Sequence, residues 1–453
     1  MSTLMVSVSG IRGIVGDGLD PHTIIKYTSA YANFIGNGKI VIGRDARISG
    51  EMVNNLVTGT LVAKGLDVIN LGICPTPTVQ FTVKEWNANG GIAISASHNP
   101  NEWNALKLLN STGQFMTPDE NKSMLDMLTD KPGQFKSWDK IGKITKYKEG
   151  IRNHIDAVLN MKHIDIDLIR NRNFKVLADC VNGAGAYVIP DLLKEFGCKV
   201  IELNCEKTGV FPRLPEPIPE NLIETMKAVK DSDVDLGIVV DPDVDRLVLI
   251  TNEGEPFGEE NTITQAVNFV LSKVKGNVVV NLSTTRAVDD IAHSYGCETF
   301  RSPVGEANVV IKMKEKNAVI GGEGSGGVIF PALHYGRDAL AGIGLILQSL
   351  AIFNGTIAEL KNSLPQYSIC KTKIEVEDIN PDEVLKSLKN NYSNEKINTL
   401  DGLRIDFEDH WVHFRKSNTE PIVRIITEAK TTTEAERLNN KYQLEIEAIT
   451  KND

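Results

Sequence analysis

The run Leu236-Gly237-Ile238-Val239-Val240-Asp241-Pro242-Asp243-Val244-Asp245-Arg246 passes directly from a short apolar stretch into three alternating aspartates. An apolar run of this length, ended by a turn signal, reads as a buried strand. The same reading fits Ile40-Val41-Ile42-Gly43, Asp67-Val68-Ile69-Asn70-Leu71, Gly91-Ile92-Ala93-Ile94, Phe174 to Asp179, Lys199 to Leu203, Val278-Val279-Val280-Asn281 and Ala318-Val319-Ile320. Between them lie helical patterns, including Glu51 to Lys64 and Ala186 to Phe196, and a third round starts near Glu259. This β-α-β rhythm predicts mixed α/β layers with mostly parallel strand pairing. The three rounds do not align with one another by eye.

The chain end differs. A strand at Thr372 to Val376 is followed by a helical stretch from Pro381, two short strands around Leu403–Phe407 and Trp411–Phe414, a strand at Ile422 to Thr427 and a closing helix from Thr433 to Ile449. That pattern reads as a small separate α+β domain. A length of 453 residues exceeds one ordinary core and predicts three or four domains. The expected units are residues 1–150, 151–254 and 255–367, three similar mixed α/β domains, and a C-terminal α+β domain at 368–453.

Composition is that of a soluble globular protein, with 41% hydrophobic and 24% charged residues. A net charge of −10 argues against general binding to nucleic acid or anionic membranes, without excluding a local basic pocket. The six cysteines form no C-x-x-C pair, which argues against a structural zinc site. They read as reduced thiols of a cytoplasmic protein. No signal-peptide pattern and no apolar stretch long enough to span a bilayer is visible.

Four runs carry candidate chemistry. Asp241, Asp243 and Asp245 share one side of an extended segment by their period-two spacing. Three close carboxylates repel unless a cation neutralises them, and all-oxygen ligands suit Mg²⁺ or Ca²⁺. An EF-hand fits poorly, because its glycine and glutamate positions would be Arg246 and Asn252. In Ser95-Ala96-Ser97-His98-Asn99-Pro100, a serine stands on a turn after a strand, and Lys107 lies ten residues on. A hydroxyl nucleophile beside a hard-metal site suggests phosphoryl transfer. No G-x-S-x-G elbow surrounds Ser97, which weighs against an α/β-hydrolase. Gly321-Gly322-Glu323-Gly324-Ser325-Gly326-Gly327 reads as a glycine-rich loop whose lone carboxylate suits sugar hydroxyls; it is neither a Walker A loop nor G-x-G-x-x-G. Arg415-Lys416-Ser417-Asn418-Thr419-Glu420-Pro421, with Arg424 beyond it, joins guanidinium groups, hydroxyls and turn amides in a cradle for a phosphate monoester. Taken singly, each run also reads as an ordinary polar turn.

Together and in this order the four runs resemble the α-D-phosphohexomutase superfamily, as do Ser9-Gly10-Ile11-Arg12-Gly13 and Gly43-Arg44-Asp45-Ala46-Arg47. The resemblance implies four domains around a central cleft. It implies phosphorylation of Ser97 and one Mg²⁺ per chain, held by Asp241, Asp243, Asp245 and a phosphoserine oxygen at Ser97. The implied reaction moves phosphate between O6 and O1 of a hexose through a sugar 1,6-bisphosphate, which also acts as activator. Arg12, Lys107 and His98 would stand at the transferred phosphate, with Lys107 as candidate acid/base, although His98, as Ser97's sequence neighbour, need not be the base. Arg246, Glu323 and Ser325 would bind substrate, and Arg415, Ser417, Asn418, Thr419 and Arg424 would hold the phosphate that is not reacting. The protein would act on a hexose phosphate as a cytoplasmic monomer or homodimer, without nucleic acid or membrane.

The chain departs from the family pattern at Gly327, where many members carry a histidine, leaving His334 as a candidate substitute. Ala105 stands for a frequent glycine and Ala307 for a frequent Lys or Arg. Gly324 replaces the methionine that often accompanies glucose or mannose use and the glutamine or asparagine of glucosamine use. The runs Gly43 to Gly50, Trp103 to Asn110 and Tyr335-Gly336-Arg337-Asp338-Ala339 tilt the reading to phosphoglucosamine mutase activity. The alternatives are phosphoglucomutase/phosphomannomutase activity, a metal-dependent phosphatase and a non-catalytic sugar-phosphate-binding relative.

Overall fold

The computed structural model describes residues 2–8, 10–129, 134–375, 380–416 and 422–451. Three of its four sheets repeat one plan. Each has a first strand flanked by the second and the third, both parallel to it, and a fourth strand antiparallel to the third. In spatial order the repeats are Asp67–Ile73, Lys39–Arg44, Gly90–Ile94, Trp103–Leu109; then Lys199–Leu203, Lys175–Asp179, Leu236–Val240, Leu247–Thr251; then Thr299–Ser302, Val278–Asn281, Ile320–Glu323, Gly327–Ile329. Helices Gly50–Ala63, Ile189–Glu195 and Ala287–Ser294 carry the first crossover of each repeat. Thr76–Glu85, Ile223–Asp231 and Glu306–Lys316 carry the second, since parallel neighbours need a long connection. The first sheet alone is extended, by Gly10–Val15 and its partners at one edge and by Ile144–Lys146 at the other.

The central strands explain this placement. Leu236–Val240 and Val278–Asn281 are buried throughout, as strands covered by helices on both faces must be. One apolar cluster runs from Ile155 to Leu364, so the second and third repeats share a core. The last sheet is antiparallel, in the order Ser368–Glu375, Ile422–Ala429, Trp411–Lys416, Leu403–Asp406, Lys396–Asn398. Helices Pro381–Asn391 and Thr432–Lys451 help close its own core around Val384, Phe414, Val423 and Tyr442.

Three sequence expectations shift. The helix expected from Ala186 begins as a 3₁₀ turn at Ala184–Tyr187 and becomes α-helical only over Ile189–Glu195, where Pro190, lacking an N–H, occupies the first turn. The strand expected at Ala318 starts at Ile320, because Asn317 ends the preceding helix in a left-handed conformation and Ala318 N–H still donates to Met313. Consequently Gly321, Gly322 and Gly327 are strand residues, and the glycine-rich loop shrinks to residues 324–326. Strand Lys396–Asn398 is too short and too polar to be seen in the sequence. All six cysteines are free thiols, and no described helix is long and apolar enough to cross a membrane.

Candidate active site

The turn joining third to fourth strand occupies the same place in each repeat, and these turns are the Ser97, Asp241–Arg246 and Glu323–Gly327 runs. Each holds a residue at positive φ: Ser97 at 49°, Val244 at 64° and Gly326 at 83°. That backbone region is costly for a non-glycine residue and needs support from its surroundings. Backbone bonds supply part of it. Thr76 N–H donates to the Asp243 carbonyl at 2.9 Å, Ala184 N–H to Pro242 at 2.8 Å, and Leu247 N–H to Gly326 at 2.9 Å.

Ser97 is held from below by a buried relay. Its N–H donates to Ser95 Oγ at 2.9 Å, and Ser95 Oγ donates to Asp45 Oδ2 at 2.6 Å. Asp45 forms a fully buried ion pair with Arg47. Arg47 in turn donates to the Ser97 carbonyl at 2.9 Å and lies over the Phe211 ring at 4.8 Å. The relay presents the hydroxyl to the next repeat, where Ser97 Oγ donates to Asp241 Oδ2 at 2.7 Å.

Asp241, Asp243 and Asp245 are completely buried and converge so that one oxygen of each lies within 4.8 Å of the others. Asp241 Oδ1 accepts the Asp245 and Arg246 N–H groups, which fixes the turn. Burial, then the charges of Asp245 and Asp243, push the Asp241 carboxyl well above the usual range. Burial would also raise Asp243, but the Lys107 ammonium at 2.6 Å and the Thr76 hydroxyl hold it below that range. Lys107 lies 3.5 Å from Asp245 as well; these two carboxylates outweigh its burial and keep it protonated. Asp243 Oδ1 and Asp245 Oδ1 are buried without a hydrogen-bond partner among the described residues. Orphaned carboxylate oxygens beside an Oγ acceptor form the hard, all-oxygen donor set that suits a divalent cation such as Mg²⁺.

Around this centre stand the other sequence candidates. Arg12 donates to Asn99 Oδ1 at 3.2 Å and lies opposite Ala105 in the strand register. Burial, then the charge of Arg246, lower His98 to about 2, so its imidazole is neutral. Arg246 reaches Glu216 at 3.6 Å. Glu323 is buried, and its Oε1 accepts both Asn281 Nδ2 and the Gly305 N–H at 2.8 Å. Ser325 is half-buried on its turn. Ala307 packs on an apolar cluster of the first repeat and contributes no charge.

His334 is engaged with Asp338. It is buried, and its Nε2 meets Asp338 Oδ2 at 3.1 Å. His154 Nε2 meets the same oxygen at 2.9 Å, and His154 Nδ1 contacts the Thr78 hydroxyl at 3.0 Å. This cluster bolts elements of all three repeats together. The residue lying over Gly327 is Arg337, which the sequence reading named only within a family-like run and without a role.

On the C-terminal sheet, Arg415 and Arg424 face each other in the strand register, and Lys373 pairs with Arg424 from the other side. Three cations side by side on one sheet face repel one another and favour an anion between them. Arg415 also pairs with Asp401 at 3.0 Å, and Asp401 accepts the Val304 N–H at 3.0 Å, beside the glycine that donates to Glu323. Ser417, Asn418 and Thr419 lie outside the described residues.

Comparison with known proteins identifies the family and the fold. Four consecutive models match, described as phosphoglucomutase/phosphomannomutase alpha/beta/alpha domains I, II and III and C-terminal domain, over residues 4–132, 152–254, 261–367 and 372–442. The chain is 37% identical over 433 residues to a protein of Thermococcus kodakarensis named phosphoglucomutase/phosphomannomutase, covering 93% of this chain and 94% of that one. It is 32% identical over 438 residues, 96% of each chain, to a protein of Methanopyrus kandleri named probable phosphoglucosamine mutase. Among solved structures, a phosphoglucomutase/phosphomannomutase family protein from Burkholderia thailandensis superposes with a TM-score of 0.85 at 25% identity over 98% of each chain.

Proposed function

The chain belongs to the phosphoglucomutase/phosphomannomutase family of phosphohexomutases, isomerases that move a phosphoryl group within a sugar, and from that premise we propose that it interconverts glucosamine 6-phosphate and glucosamine 1-phosphate. The observation that carries the catalytic reading is the Ser97 hydroxyl, 2.7 Å from Asp241 inside the aspartate triad with Lys107 alongside.

In this reading Ser97 carries a phosphoryl group in the resting enzyme. Its P–Oγ bond breaks as a P–O1 bond forms to glucosamine 6-phosphate, giving the 1,6-bisphosphate. Lys107, held as an ammonium, donates a proton to the departing Ser97 Oγ, and the O1 proton leaves to the solvent or a neighbouring base. The bisphosphate then presents its 6-phosphoryl group: the P–O6 bond breaks as a P–Oγ bond forms to Ser97, Lys107 takes back the Oγ proton, O6 gains a proton from the solvent or that neighbouring base, and glucosamine 1-phosphate leaves. Asp241, Asp243 and Asp245 would hold one Mg²⁺, which when bound neutralises charge developing on the phosphoryl oxygens. Arg12, neutral His98 and Arg246 orient the transferring group. Glu323 and Ser325 accept and donate to sugar hydroxyls, while Arg415, Arg424, Lys373 and the run Ser417-Asn418-Thr419 hold the other phosphate. A bisphosphate supplied from outside would restore enzyme that has lost its phosphoryl group.

The runs Gly43 to Gly50, Trp103 to Asn110 and Tyr335 to Ala339, and the relative named probable phosphoglucosamine mutase, support the amino sugar. The relative named phosphoglucomutase/phosphomannomutase supports the second reading, activity on glucose and mannose phosphates.

Turnover of glucosamine, glucose and mannose 6-phosphates with catalytic glucose 1,6-bisphosphate tests both. The proposal expects the largest kcat/KM on glucosamine 6-phosphate, no net phosphate release, and loss of at least about 10³-fold in Ser97→Ala. Stoichiometric phosphate release, or a Ser97→Ala variant at wild-type rate, would sink it.

A further inference from the structure

Arg337 lies ten residues beyond Gly327, past a turn, where strand Gly327–Ile329 and the helix that starts at Ala339 are joined. Its guanidinium crosses from the third repeat into the second. Each nitrogen meets a different carboxylate: Nη2 lies 2.6 Å from Asp245 Oδ2, Nη1 2.8 Å from Glu323 Oε2 and Nε 3.2 Å from Glu306 Oε2. One of these acids belongs to the metal turn and one to the sugar turn. All three carboxylates are buried, and without this cation Asp245 would keep Lys107 and Arg246 while Glu323 and Glu306 would lose the ion pair that each makes. Even with Arg337 beside it, burial keeps Glu306 raised to about 7.

The room for this side chain comes from Gly327. A Cβ there would stand 2.4 Å from Arg337 Cδ and 3.1 Å from its Cγ, and the three nearest atoms all belong to Arg337. The backbone is fixed next door, where Asp338 N–H donates to Val328 at 2.9 Å and the Asp338 carboxylate binds His154 and His334. We propose that Arg337 is a positioning residue for phosphoryl transfer, whose guanidinium, seated in the space left by Gly327, holds the metal-turn carboxylate Asp245 and the sugar-turn carboxylate Glu323 in one charge-balanced frame. It moves no proton, because a guanidinium stays charged. It sets the distance between the triad and the sugar, and it takes one acceptor site of Glu323 while Asn281 and Gly305 take two others. A lysine supplies one point charge and reaches one acid at a time.

The inference rests on the phosphohexomutase reading, and a double-mutant cycle at Gly327 and Arg337 with a separate Mg²⁺ titration tests it. Arg337→Met keeps the stem and removes the cation. Its kcat falls by about 10²-fold or more, while calorimetry shows Mg²⁺ binding about threefold tighter or more, because a positive charge has left the triad. Arg337→Lys lies between. Gly327→Ala slows the enzyme by displacing Arg337, and Gly327→Ala/Arg337→Met is no slower than Arg337→Met alone. Wild-type turnover in Arg337→Met overturns the proposal. So does weaker Mg²⁺ binding in that variant, which marks general damage, and so does full additivity of the two changes. Rates are read relative to the parent on whichever hexose phosphate it turns over, and the titration needs no turnover. A wrong sugar assignment therefore leaves the test intact.

Discussion

At the residue scale, the site is built by pairing each functional group with a group far away in sequence. Ser97 meets Asp241 across 144 positions, Lys107 meets Asp243 across 136, and Arg337 meets Asp245 across 92. The aspartates stood out because period-two spacing after an apolar strand is a local signal, and Ser97 only through its company with the other three runs. Arg337 stood out only within a family-like run, and Thr76, Glu306 and Lys373 did not, since nothing in their local sequence announces the packing that brings them in. The Asp45–Arg47 pair was legible only as part of a family-like run; its burial under the Ser97 turn gives that run a physical role. Both charges are wholly buried, so removing one leaves the other without its counter-ion. Arg47→Met should destabilise the chain by about 3–5 kcal/mol, a large share of the roughly 5–15 kcal/mol typical of a native protein. Urea unfolding measures it, and a loss under about 1 kcal/mol would mean that the pair is not what fixes the turn.

At the scale of elements, one hairpin is used three times. Three similar α/β rounds were legible from the strand–helix rhythm, but no repeat of residues was, because the plan is kept as strand order and apolar burial rather than as residue identity. What varies is the turn, and there the chain places the Ser97 hydroxyl, the three aspartates and the Glu323 carboxylate in succession. The reading of Gly321–Gly327 as one loop failed because glycines at 321, 322 and 327 serve close packing within strands, a use that composition cannot separate from loop flexibility. Gly326 is different: it is at φ 83°, and a Cβ there would stand 2.4 Å from the Leu247 carbonyl. That carbonyl begins the fourth strand of the metal hairpin, and Leu247 N–H donates to Gly326 in return. Gly326→Ala must therefore strain both turns together, by about 1–3 kcal/mol from the backbone region alone. A thermal melt should show that loss, and kcat should fall about tenfold or more. Unchanged kcat would mean the two hairpins move independently.

At the scale of the whole molecule, three repeats are fused and a fourth unit is docked. The second and third repeats share one apolar core, and the first is joined by the Gln80–Glu306 bond and by the cluster of Thr78, His154, His334 and Asp338. The C-terminal unit has its own core and meets the third repeat through polar contacts. Arg286 is central to them: it donates to the carbonyls of Phe407, Glu408 and His410, and its N–H donates to Glu428. The cations Arg415, Arg424 and Lys373 ride on this unit, so on the proposed function its docking sets how well the distal phosphate is held. Arg286→Ala leaves the C-terminal core untouched and withdraws three charge-assisted bonds. On the proposed function, the KM for hexose phosphate should rise about tenfold, equivalent to about 1.4 kcal/mol of binding, with a smaller change in kcat. Cleavage by a protease near Pro365–Tyr367 should quicken, while the melting temperature shifts by only a few degrees. A KM equal to the parent's, with unchanged proteolysis, would show that these contacts do not hold the unit in place.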